Sequence, residues 1–66
     1  GEITMKFLKL HVNKKDVLVN MSLVTEIHSR ITGECSLYFN TMVSNEEQSH
    51  IEVDENIQEI SDLLVL

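Results

Sequence analysis

Ile51-Glu52-Val53-Asp54-Glu55-Asn56-Ile57-Gln58-Glu59-Ile60-Ser61-Asp62-Leu63-Leu64 holds two hydrophobic periods in a row. Ile51 and Val53 flank Glu52 in the alternation of a half-buried strand. From Ile57 the apolar residues recur at Ile60, Leu63 and Leu64, the spacing of one face of a helix. Asp54 supplies an N-cap oxygen at the switch, and Glu55 a negative charge where the helix dipole favours it. A short strand over 50–53 and a helix over about 55–65, with its stripe on Ile57, Ile60 and Leu64, are therefore expected.

Working backwards, residues 5 to 42 read as short alternating runs. In the strand expected over about 5–12, Leu8, Leu10 and Val12 share one face, and Lys9 and His11 the other. Asn13-Lys14-Lys15-Asp16 reads as a tight turn, which pairs Val12 with Val17 and Leu10 with Val19 across a strand over 17–20. A third strand over 23–30 points Leu23 and Ile27 inward. Ile31-Thr32-Gly33 then places glycine third in a three-residue hairpin loop, where a left-handed residue is needed. That register sets Arg30 against Glu34, Ser29 against Cys35 and Ile27 against Leu37. The fourth strand, over 35–42, buries Cys35, Leu37 and Phe39, and the polar segment 43–49 reads as a loop. The expected fold is α+β: one small, strongly bent antiparallel sheet of about five strands, partly closed and barrel-like, with a single C-terminal helix.

Sixty-six residues form one domain, 1–66. A chain of this size buries only about 60% of the surface its unfolded form exposes, so a second copy or a larger partner would supply missing burial. Charge is distributed unevenly. Residues 1–45 carry all five basic groups and four acids, whereas residues 46–66 carry seven acids and no base. The net charge of −6 disfavours phosphate. The lone Cys35 has no partner for an internal disulfide, which fits a reducing compartment. No apolar run approaches a membrane span, and Lys6 and Lys9 interrupt the only stretch resembling a signal peptide. A cytoplasmic location is expected.

No catalytic, cofactor-binding or metal-binding set emerges, and no small-molecule substrate is indicated. His11, His28 and His50 fall on outward strand faces and Cys35 on an inward one, so they do not converge as tetrahedral ligation requires. Serines and threonines lack a glycine-flanked elbow, and no phosphate-binding loop occurs. Two contact readings remain. In the first, Phe7, Leu18 and Tyr38 leave apolar surface on the outer face of the sheet. The run Leu63-Leu64-Val65-Leu66 holds more apolar residues than one helical stripe uses, so it packs on a second subunit or belongs to something longer. Phe7, Leu18, Tyr38 and Leu66 are the candidate interface of a self-associating module. The alternative is a small barrel binding single-stranded nucleic acid through Lys14, Lys15, Arg30 and Tyr38, with Lys9 nearby.

Three segments carry a family resemblance. Leu10-His11-Val12-Asn13-Lys14-Lys15-Asp16-Val17-Leu18-Val19-Asn20 resembles the opening hairpin of the small flagellar FlbD-like proteins, where Asn-Gly-Lys and an acid lead into an apolar strand ending in Asn. Leu23-Val24-Thr25-Glu26-Ile27 is similar to their next segment, and Ile51 to Ile60 to their closing strand and helix. The chain departs from that pattern at Lys14, where glycine is favoured, and at Met21, where proline is common. The resemblance implies the fold above, no catalytic residue, and an accessory role linked to flagellar motility.

Overall fold

The computed structural model describes residues 6–64. Five strands and one helix follow one another as β1 (Phe7–Val12), β2 (Lys15–Asn20), β3 (Val24–Ser29), β4 (Cys35–Ser44), β5 (Glu47–Val53) and α1 (Ile57–Leu64), with a 3-10 turn at Met21–Leu23 between β2 and β3. The fold is α+β, but the strands do not make one barrel-like sheet. They form a two-stranded ribbon, β1-β2, and a separate three-stranded sheet in the order β3-β4-β5. All pairings are antiparallel.

The first hairpin turns sooner than the sequence suggests. Asn13 and Lys14 are its two central residues, with φ of 51° and 68°, and Val12 pairs with Lys15. A two-residue turn with both central residues left-handed matches the twist of the flanking strands, and asparagine tolerates that conformation well. Leu10 therefore meets Val17 and Leu8 meets Val19. This register lies two positions from the expected one, and because side chains alternate with period two, the same faces remain inside.

The second hairpin forms as read. Ser29 pairs with Cys35 and Ile27 with Leu37, and Gly33 has a φ of 99°. Arg30 N–H donates to the Glu34 carbonyl at 2.7 Å, and Gly33 N–H donates to the Arg30 carbonyl at 2.9 Å. Upstream, Leu23 is not an inward strand residue. It lies in the 3-10 turn, which the Asn20 side chain caps by accepting from Ser22 N–H, and it is exposed. A bulge between Val24 and Glu26 then brings Val24 and Ile27 to the inner face together.

The segment 43–49 is not a loop. β4 and β5 continue to Ser44 and Glu47, with register shifts on the way, and enclose a tight turn. Polar side chains hold this extension: Gln48 Nε2 donates to the Phe39 carbonyl at 3.2 Å and to Thr25 Oγ1 at 3.3 Å, and Thr41 and Ser49 join their hydroxyls.

The helix begins later than expected. Asn56, not Asp54, is the cap: its Oδ1 accepts Glu59 N–H at 2.8 Å, while Glu59 Oε1 accepts Asn56 N–H at 3.2 Å. This reciprocal pair satisfies two backbone donors that the first turn would otherwise leave open. Ile60 is fully buried and Leu64 partly so, whereas Ile57 stays exposed. Ile60 joins Leu8, Leu10, Val19, Cys35, Leu37 and Val53 in the core, between ribbon, sheet and helix.

Candidate interaction surface

Three places on this frame carry side chains or backbone groups beyond what the core uses. The first is the outer face of the ribbon. Phe7 pairs with Asn20 and Leu18 with Lys9, so Phe7 and Leu18 are diagonal neighbours on one face. They are 53% and 68% exposed. Tyr38, the third residue of the candidate interface, sits elsewhere. It lies in β4 on the outer face of the three-stranded sheet, half-buried, stacked on His50 at 5.2 Å and touched edge-on by His28 at 5.2 Å. Two imidazoles already cover part of its ring. Leu66 lies outside the described residues. The structure thus brings together Phe7 and Leu18 and assigns Tyr38 to a different sheet.

The second place is a groove of about 310 Å3 lined by Met21, Val24, Thr25, Glu26, Ile27 and Leu64. It forms where the last turn of α1 meets the start of β3, and Lys6 Nζ reaches the Leu64 carbonyl there at 3.3 Å. Among the described residues β3 is an outer strand of its sheet, so one row of its backbone groups faces away from β4. Sequence reading missed this groove, because it depends on the two-sheet split and on the bulge at Thr25. The existence of β3 and the outward placement of its His28 were nonetheless visible.

The third is the junction of ribbon and sheet, where Asp54 and Glu55 act on the β1-β2 hairpin. Asp54 N–H donates to the His11 carbonyl at 2.7 Å. Its carboxylate accepts Asn13 N–H at 3.2 Å and Lys14 N–H at 2.7 Å. Glu55, with only 11% of its side chain exposed, accepts His11 N–H at 2.9 Å and meets His11 Nδ1 at 2.6 Å. The other ring nitrogen of His11 lies 3.1 Å from Asp16. The hydrogen bond to Glu55 raises His11 above its ordinary value of 6.5; desolvation opposes this, the carboxylates of Glu55 and Asp16 support it, and Lys9 works against it. Burial works to raise the Glu55 carboxyl, but the hydrogen bonds from the His11 ring and backbone, with its own backbone N–H and the His11 charge, hold it below 4.5.

No family model, curated protein or solved structure matches this chain.

The residues of the nucleic-acid reading are engaged differently. Arg30 is bound to Glu52 at 2.9 Å and Glu34 at 3.3 Å, and Lys9 to Asp16 at 3.5 Å. Lys14 and Lys15 stand at the ribbon turn, with the Asp54 carboxylate on the Lys14 N–H. Carboxylates thus accompany the Arg30 and Lys9 side chains and the backbone of Lys14. Among the described residues, no three His, Cys, Asp or Glu side chains are placed to hold a metal ion, and no helix is long and apolar enough to cross a membrane. Cys35 is fully buried, and that burial, together with the charge of Glu59, pushes its thiol up.

Proposed function

We propose that this chain is a non-catalytic contact module that associates with copies of itself, an accessory protein of the kind to which the FlbD-like resemblance points. The observation that carries the reading is an open sheet edge beside an apolar groove: β3 is an outer strand among the described residues, and Met21, Val24, Ile27 and Leu64 line the hollow next to it. Phe7 and Leu18 add exposed apolar surface on the ribbon. Open edges and apolar patches of this kind are the usual raw material of protein contacts in small domains.

Light scattering over a range of concentrations tests the reading. A mass that climbs from one chain to two supports it. A single-chain mass up to the highest soluble concentration overturns it.

A further inference from the structure

We infer that two copies join antiparallel through their β3 edges, about a two-fold axis at Ile27, with Glu26 of each facing His28 of the other. This rests on the self-association proposed above and specifies its surface, partner and register.

Backbone direction comes first. Arg30 turns both its N–H and its carbonyl toward β4 and the hairpin loop. Backbone groups alternate sides along a strand, so His28 also faces β4, while Ile27 and Ser29 turn theirs to the open edge. An antiparallel partner bonds through those outward groups. An isologous contact requires the same residues on both sides, and a centre at Ile27 satisfies both conditions. Each Ile27 N–H then donates to the other Ile27 carbonyl, and Thr25 lies across from Ser29.

Side-chain chemistry selects the same register. Glu26 and His28 lie on the outer face, the face of Tyr38, since Glu26 pairs with Tyr38 and the His28 ring touches it. Within one chain their side chains already meet, His28 Nε2 lying 3.0 Å from Glu26 Oε1. Centring the axis on Ile27 puts a carboxylate opposite an imidazole twice over, and an imidazole N–H donates to a carboxylate whether the ring is neutral or charged. A shift of the axis by one residue toward either end sets Glu26 against its own copy, or His28 against its own copy, and discards the complementarity. On the inner face, Ile27 meets its counterpart, and the two grooves lined by Val24, Met21 and Leu64 open toward each other. The paired edges give one continuous six-stranded sheet, β5-β4-β3 followed by the same three strands of the second copy. The bulge at Thr25 keeps the regular edge short, so the contact is reversible and does not propagate.

The test uses two exposed substitutions, Glu26→Lys and His28→Glu, in the full chain. Glu26→Lys sets lysine against histidine, and His28→Glu sets carboxylate against carboxylate, so each variant alone dimerises at least about tenfold more weakly than wild type. When the two are mixed, the lysine introduced in one variant faces the glutamate introduced in the other, and the remaining His28 faces the remaining Glu26. The heterodimer therefore forms where neither homodimer does. Native mass spectrometry separates the three species by mass, and recovery on mixing rules out misfolding as the cause of the loss. If both variants dimerise as wild type does, the β3 register is wrong while self-association stands, and Phe7 and Leu18 become the surface to test. If the variants lose dimerisation and mixing fails to restore it, the Glu26–His28 pairing is wrong. A wild type that never dimerises overturns both readings.

Discussion

His11 and Glu55 shift each other's proton affinities in opposite directions, and the sign of each shift sets a pH window. His11 is raised, so its contribution to stability is fully present below about pH 6.5 and fades as pH climbs through the folded-state value. Glu55 is lowered, so its contribution is present above about pH 4.5 and fades as pH falls through the folded-state value. The contact is strongest between those limits. In thermal melts across about pH 3 to 9, the Tm gap between wild type and Glu55→Gln should peak inside that window and narrow on both sides. A gap that does not vary with pH would show that the two groups do not titrate together. Lys14 offers a second test at this scale. Its φ of 68° costs an L-residue strain that glycine lacks, so Lys14→Gly should stabilise the chain by about 0.5 to 1 kcal/mol in urea titrations. The loss of the Lys14 side chain should matter little, because Asp54 binds its backbone N–H.

Among the elements, local chemistry was most readable where one residue type answers one geometric need. Gly33 marked the second hairpin loop, and the register of Ser29 with Cys35 followed from it. The first hairpin was harder, because Asn13-Lys14-Lys15-Asp16 offers turn residues at both ends and lysine is no marker of left-handed backbone. The β4–β5 extension was hidden for a different reason. Met42 and Val43 are adjacent and both exposed, so they fall on opposite faces and give no apolar alternation that distinguishes strand from loop, and the pairing rests on groups such as Gln48 and Thr41. At the helix start, Asp54 and Asn56 both had capping chemistry. The Glu59 three residues beyond Asn56 was the signal that decides between them. Asn56→Ala should therefore cost about 1 kcal/mol, while Ser61→Ala on the exposed helix surface should stay within about 0.5 kcal/mol, both read from denaturant midpoints.

For the molecule as a whole, the helix is what closes the core. Ile60 is its one fully buried residue, and it sits with Leu10, Leu37 and Val53. A chain of sixty-six residues has a total stability of about 3 to 10 kcal/mol, and removing a large buried side chain costs about 2 to 5. Ile60→Ala should therefore lower the unfolding free energy by about 2 to 5 kcal/mol, a large share of the total, read from denaturant midpoints by circular dichroism. Ile31→Ala, at the fully exposed tip of the second hairpin, should leave the spectrum and the midpoint unchanged. The division into two sheets belongs to this scale and could not be read from strand patterns. Strand faces say which residues go inside, but not which edges are left unjoined. The candidate surface divides in the same way: the exposure of Phe7 and Leu18 followed from alternation, and the groove beside β3 did not.

The contacts of Asp54 and Glu55 with the first hairpin also bear on time. Every strand ladder joins neighbours along the chain, whereas these contacts span 40 to 44 residues. Short loops close before long ones, so both sheets should assemble early and the junction should form on the downhill side of the folding barrier. Asp54→Ala should then hasten unfolding severalfold and leave the refolding rate nearly unchanged in stopped-flow measurements. The two carboxylates at the start of the helix would thus act as a latch on lifetime: they would set how long the native molecule persists, with little influence on how quickly it is reached.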